Sequence, residues 1–141
     1  MNNTTFIEKA FYGLTNRDSH GNLHKDNDNN IYSYGYHYPL LFRAQDNDKL
    51  VFVNVTGYSN STSKHIQKAW SAIDYKGIAV KLNGERLPVT AHRMMILLGA
   101  QAVELKSTMD SKKRKDTQVY RGLQYDLNRV LADYETVRGA L

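Results

Sequence analysis

Hydroxyl side chains, a lysine and a histidine cluster where an apolar, strand-like run gives way to a helical pattern. The cluster comprises Tyr58, Ser59, Ser61, Thr62, Ser63, Lys64 and His65. Unpaired amides at a helix N-terminus, together with hydroxyls and a lysine, favour binding of an anion such as a phosphate group. Ser61 or Thr62 also suits the simpler role of an N-cap. The segment lacks the glycines of a phosphate-binding loop, and no carboxylate lies nearby in sequence to orient His65 for nucleophilic catalysis. We therefore predict a contact site for a partner and no catalytic residue.

Four tyrosines alternate upstream of this cluster: Tyr32, Tyr34, Tyr36 and Tyr38. Alternate residues of an extended chain point to the same side, so the four rings would share one face. Such a face is typical of a stacking platform for bases or of a protein-contact patch. A half-buried sheet face is the alternative, and Gly35 is expected to disturb the alternation.

Four consecutive basic residues form the third candidate: Lys112, Lys113, Arg114 and Lys115. The net charge of the chain is +5. Residues 1–61 carry five lysines and arginines against six acidic residues, whereas residues 62–141 carry fourteen against eight. This asymmetry favours an acidic partner for the second half, either nucleic acid or an acidic protein surface. A solvated loop and an ordinary solubilising charge are the alternatives.

A metal site is not predicted. Asp26, Asp28 and Asn30 have the spacing that opens a calcium-binding loop. Ile31 stands where such a loop needs glycine, and His37 stands where it needs a bidentate glutamate. We therefore expect a solvated loop here, with no metal and no cofactor.

Length and composition predict a single domain that needs no covalent staple. A chain of 141 residues can bury one sizeable core, and the lack of cysteine excludes disulfides and thiolate chemistry. The N-terminus lacks the basic start and apolar run of a signal peptide. No apolar run approaches the roughly 20 residues that span a bilayer. We expect a cytoplasmic protein with no membrane partner.

Hydrophobic patterning predicts an α+β fold, with a small, mainly antiparallel sheet packed by one helix and followed by a C-terminal helical hairpin. The single domain would have three parts, residues 1–30, 31–87 and 88–141. The first part would hold a short helix over residues 4–13, capped by Thr4 or Thr5, and a polar loop over residues 15–30.

The second part is expected to hold the sheet and its helix. The predicted elements are strands at 31–34, 38–43 and 49–55, a helix at 62–75, a strand at 78–82, and an Asn83-Gly84 turn into a return strand at 85–87. In the third part Thr90 would cap the first of two helices. Their apolar stripes run over residues 94–109 and 120–137, with a charged break at 110–115.

Part of the pattern resembles small proteins of phages and mobile elements of low-GC Gram-positive bacteria. The resemblance covers Ser33 to His65, in the segments SYGYHYPLLF and VFVNVTGYSNSTSKH. Small proteins of this kind include inhibitors of host defence, such as anti-CRISPR proteins. The resemblance therefore implies a non-enzymatic inhibitor that binds a host defence complex, for example a CRISPR effector, by occupying a nucleic-acid or protein contact surface.

The expected partner is a host protein or ribonucleoprotein complex, and the alternative is direct binding of DNA or RNA by a phage regulator. Either a monomer or a dimer is compatible with the helical stripes. The predicted partner-binding residues are Tyr34, Tyr36, Tyr58, Ser61, Lys64, His65, Lys112, Lys113, Arg114 and Lys115.

Overall fold

A six-stranded sheet organises the first part of the chain. The computed structural model describes residues 1–57 and 59–141, which form two units, Met1–Val89 (unit 1) and Thr90–Leu141 (unit 2). The elements of unit 1 are α1 (Asn3–Phe11), β1 (Ser19–His20), β2 (Leu23–Lys25), β3 (Ile31–Ser33), β4 (Tyr38–Ala44), β5 (Asn47–Asn54), α2 (Asn60–Ala72) and β6 (Ile78–Val80). Those of unit 2 are α3 (Ala91–Asp110) and α4 (Gln118–Gly139).

The strands lie side by side in chain order, and each neighbouring pair from β1 to β5 is antiparallel. β6 runs parallel to β5, because α2 crosses over between them. The predicted α+β class is therefore confirmed, with a mainly antiparallel sheet and a C-terminal helical pair.

The core of unit 1 lies between the sheet and two helices. Phe6, Phe11 and Ala69 contribute the helical side of this core, and Leu41 and Val53 contribute the sheet side. α1 packs against α2 as well as against β2 and β3. Two helices therefore cover this face of the sheet, since the amphipathic α1 buries its apolar stripe beside α2.

Several of the predicted strand and helix boundaries are wrong. Residues 15–30 were expected to be loop, yet β1 and β2 lie within them, because fully buried Leu23 anchors β2 against β3. The Asn83-Gly84 turn is present, with both residues at positive φ, but no return strand follows at 85–87. The helix caps are Asn2 for α1 and Ser59 for α2, each two or three residues before the predicted position.

Unit 2 is a helical pair joined by a short charged connection. Thr90 caps α3 as predicted, and its side chain accepts a hydrogen bond from Arg93 N. The ring of Tyr134 on α4 lies against Gly99 on α3, where a Cβ atom would come within 3.4 Å of it. Glycine at this position therefore lets the two helices approach closely.

Candidate binding site

The loop between β3 and β4, residues 34–37, is called the tyrosine loop. Its first two residues, Tyr34 and Gly35, adopt positive φ angles of 57° and 68°. This region is strained for a non-glycine residue such as Tyr34 and persists only where other contacts hold it. Tyr34 N donates to Asn22 O at 2.8 Å, and His37 N donates to Tyr34 O at 3.3 Å. The surrounding structure thus fixes the shape of the loop.

Two hydrogen bonds join the end of β3 and the tyrosine loop to the start of α2. Ser33 Oγ lies 2.7 Å from His65 Nδ1, and Tyr34 Oη lies 3.0 Å from Ser59 Oγ. Ser33 is fully buried and His65 is 8% exposed. These bonds connect the end of β3 and the tyrosine loop with the first two turns of α2. The imidazole of His65 therefore has a positioning role.

The electrostatics of this junction follow from burial and hydrogen bonding. Burial lowers the pKa of His65, and the positive charge of Lys68 lowers it further. The ring is therefore neutral at neutral pH, which suits a buried group paired with a neutral serine. Hydrogen bonds from the hydroxyls of Ser59 and Ser61 lower the pKa of the Tyr34 phenol.

The N-terminus of α2 is capped internally. Ser59 Oγ accepts a hydrogen bond from Thr62 N at 3.1 Å, and Thr62 is fully buried. Ser61 and Lys64 are exposed in the first turns of the helix. Capping is thus performed by Ser59, which leaves the side chains of Ser61 and Lys64 facing solvent.

Tyr36 is exposed but held in place. Its side chain is 59% exposed, and its hydroxyl donates to Lys25 O at 3.2 Å. Its ring makes an edge contact with Tyr32, with centroids 5.2 Å apart, and lies 5.5 Å from the ring of His24. An exposed aromatic ring with fixed orientation loses little conformational entropy when a ligand binds to it.

Tyr36 stands at the rim of a cleft of about 790 Å³. The cleft lies at the edge of the sheet where β4 begins and where the parallel strands β5 and β6 end. The tyrosine loop forms one side, and residues 84–87, which follow β6, form another. Its volume is within the range of about 300–1,000 Å³ that is typical of small-molecule sites.

The floor of the cleft is a closed hydrogen-bond network around Asn54. Asn54 Nδ2 donates to Pro39 O, and Asn54 Oδ1 accepts hydrogen bonds from Thr56 N, Thr56 Oγ1 and Leu82 N, all within 3.2 Å. The Tyr38 hydroxyl lies 2.9 Å from Asn54 O and 2.7 Å from Thr56 O. Burial raises the pKa of this phenol. The floor is therefore neutral and rigid.

The segment with a calcium-like spacing has a structural role. Asp26 Oδ1 accepts hydrogen bonds from Asp28 N and Asn30 N, and Asp26 Oδ2 accepts from Asn30 Nδ2 and the Tyr32 hydroxyl. Burial, together with the bond to Asp26, raises the pKa of Tyr32. Within residues 1–57 and 59–141, no group of three or more His, Asp or Glu side chains could hold a metal ion.

The connection between α3 and α4, residues 111–117, is called the basic loop. Arg114 lies 3.4 Å from Asp116, and Lys115 Nζ donates to Met109 O at 3.1 Å. Lys115 also lies above the ring of Tyr120, with 5.3 Å between its Nζ and the ring centroid. Lys112 and Lys113 are exposed and make no ion pair with any residue that the structure describes.

The structure thus places the predicted contact residues in two groups. Tyr34, Tyr36, Ser61, Lys64 and His65 lie in the tyrosine loop and the first turns of α2 in unit 1. The basic residues 112–115 lie in unit 2, all of them exposed. Tyr58 lies outside the described residues.

Sequence reasoning missed the cleft residues His37, Asn54 and Arg86, which come from three separate segments. The only local signal was the Asn83-Gly84 turn, which shapes the segment that carries Arg86.

Comparison of the chain with protein-family models, curated proteins and solved structures finds no significant match. No helix in the described part of the chain combines the length and apolar character needed to cross a membrane.

Proposed function

We propose that this protein is a non-enzymatic inhibitor from a phage or mobile element, which acts in the host cytoplasm by binding a host defence complex. A CRISPR effector is the specific candidate, because it presents both protein and nucleic-acid contact surfaces. The contact surface of the inhibitor would be the outward side of the tyrosine loop and of the α2 start, with Tyr36, Ser61 and Lys64 as its exposed members.

One observation carries this proposal: a strained loop is held so that it presents an exposed aromatic ring. The positive φ of Tyr34 and the bonds from Ser33 to His65 and from Tyr34 to Ser59 fix this end of unit 1. Tyrosine is among the residue types that dominate binding energy at protein interfaces. Backbone strain of this kind concentrates at functional sites.

A pull-down of the tagged protein from host lysate tests the proposal, with and without nuclease and read by mass spectrometry. We expect a protein partner that survives nuclease. Tyr36→Ala and Lys64→Glu should each release it, whereas Tyr75→Ala and Lys76→Glu should retain it. Tyr75 and Lys76 are matched controls because they are exposed and follow the other end of α2. Full recovery of the partner by both test variants would show that the partner does not bind to this surface.

Direct nucleic-acid binding is the second candidate, and the basic loop favours it. Lys112 and Lys113 project two charges that no acidic neighbour in the described chain neutralises. A protein that binds through such charges releases counterions, so its affinity falls steeply with salt. Loss of all captured partners after nuclease would make this candidate the leading one.

A further inference from the structure

We propose that the cleft of unit 1 binds a nucleotide, with the base stacked on Tyr36 and the phosphate on the side of the cleft that carries Arg86. The ligand chemistry is a planar base that bears a phosphate, either as a free nucleotide or as one residue of a single-stranded nucleic acid. This inference goes beyond the binding function proposed above and does not depend on the identity of a protein partner.

The cleft lies where a ligand site is expected in a sheet of this topology. β5, α2 and β6 form a strand-helix-strand unit with parallel strands, and the cleft opens at the carboxyl ends of both strands. Crevices at the carboxyl ends of parallel strands are the usual ligand sites of sheets that contain such units. The strand order places the tyrosine loop, beside β4, and the segment after β6 on the two sides of the β5 end.

The walls of the cleft carry an aromatic ring and a guanidinium group. Tyr36 offers an exposed ring whose orientation is fixed by Tyr32 and by the backbone of Lys25. Stacking on such a ring tolerates any base, because every base has a π-face. Arg86 is exposed and lines the cleft beyond the end of β5, and a guanidinium is a good partner for phosphate.

The floor of the cleft is closed by hydrogen bonds within the protein. Every polar side-chain atom of Asn54 is engaged in hydrogen bonds, and the Tyr38 hydroxyl is buried against backbone oxygens. The floor carries no charged group. The acidic residue of the lining is Glu85, which stands in the wall beside Arg86 and has an interaction partner within the protein. At the rim, a Cβ atom at Gly35 or Gly84 would meet nothing within 4 Å, so both glycines leave the mouth open. Both also have positive φ, which favours glycine there.

Titration of the purified chain with AMP, adenosine and a short labelled single-stranded oligouridylate tests the inference. We expect AMP to bind more tightly than adenosine. Tyr36→Ala should lower the affinity for AMP by about tenfold or more. Tyr36→Phe should keep an affinity within about threefold of wild type, because the stacking face of the ring remains. Arg86→Ala should lower the affinity for AMP by about tenfold and leave the affinity for adenosine unchanged, because only the phosphate contact is lost.

Matched variants separate the cleft from other surfaces. Tyr75→Ala, at an exposed tyrosine elsewhere in unit 1, should bind AMP like wild type. Lys64→Glu should also keep AMP affinity, even where it abolishes capture of a protein partner, so the two proposals can fail separately. An oligouridylate that binds more tightly than a mononucleotide would identify a strand as the source, and equal affinities would identify a free nucleotide.

Three results would overturn the inference. The first is that neither AMP nor the oligouridylate binds to the wild-type chain. The second is that Tyr36→Ala and Tyr75→Ala bind AMP equally well. The third is that Lys112→Ala with Lys113→Ala abolishes binding while Tyr36→Ala and Arg86→Ala leave it intact, which would assign the interaction to the basic loop.

Discussion

The tyrosine loop of unit 1 and the basic loop of unit 2 are both exposed connections with side chains suited to binding, yet they are built differently. The tyrosine loop is fixed by the buried bond between Ser33, just before the loop, and His65, by the partly buried bond between Tyr34 and Ser59, and by a strained backbone. The basic loop is held by the cap at Thr117, by the hydrogen bond from Lys115 to Met109 O and by one exposed ion pair, which contributes little stability. A fixed loop presents one defined shape, whereas exposed charges supply long-range attraction that raises the rate of association.

The difference predicts that the two regions respond unequally to mutation. Changes beneath the tyrosine loop should lower both stability and affinity for a ligand, because the same hydrogen bonds stabilise unit 1 and position the loop. Changes in the basic loop should alter binding alone.

The largest effect is expected at Asn54 in the floor of the cleft. Asn54→Ala leaves Pro39 O, Leu82 N and Thr56 N without their buried partner. An unsatisfied buried group costs about 1–3 kcal/mol, so we expect a loss of about 3 kcal/mol or more in the free energy of unfolding. Urea denaturation measures this loss. Asn128→Ala, at an exposed helical position, should change little. Equal midpoints for the two variants would mean that the floor does not stabilise unit 1.

The bond between Ser33 and His65 should give the next largest effect. Ser33→Ala removes the buried partner of His65 Nδ1 and should cost about 1–3 kcal/mol in urea denaturation. Ser71→Ala serves as the control, because Ser71 is exposed in the last turn of α2. A larger loss for Ser71→Ala would contradict the structural role assigned to Ser33.

The pH dependence of stability should report on the same contact between Ser33 and His65. Because burial lowers the pKa of His65, the native state binds a proton less readily than the unfolded chain, whose histidine has the ordinary value of 6.5. The stability that this neutral ring provides is complete above the ordinary value and is lost as the pH falls through it toward the lower native pKa.

Wild type should therefore lose about 1 kcal/mol or less relative to His65→Gln when the pH falls from about 7.5 to about 5.5. Urea denaturation at several pH values measures the difference between the two curves. Parallel curves for the two proteins would show that His65 titrates normally in the folded state.

Much of this architecture could be predicted from local patterns. β4 and β5 follow from apolar runs around a polar turn, and α3 and α4 follow from recurring apolar stripes. β1 and β2 could not be predicted, because strands of two and three residues with polar side chains depend on pairing with β3 rather than on their own composition.

The site could be predicted only in part, for a related reason. The residues of both loops stood out by type, but Ser33 and His65 are 32 positions apart and nothing local indicates that they meet. The cleft is assembled from three segments in the same way. Sequence patterns therefore indicated candidate residues by type, and the topology of the sheet determined which of them lie close together.

The smallest effect on stability is expected in the basic loop. The double variant Lys112→Ala with Lys113→Ala should stay within about 0.5 kcal/mol of wild type in urea, because neither lysine has an ionic partner in the described chain. Lys115 stays in place, since its ammonium donates to Met109 O. If the loop contacts phosphates, the slope of log affinity for nucleic acid against log salt should fall by about 2. Lys49→Ala with Lys76→Ala is the control, because both lysines are exposed in unit 1. A urea midpoint that falls as far as that of Ser33→Ala would show that the basic loop is also structurally fixed, and the contrast between the two loops would be wrong.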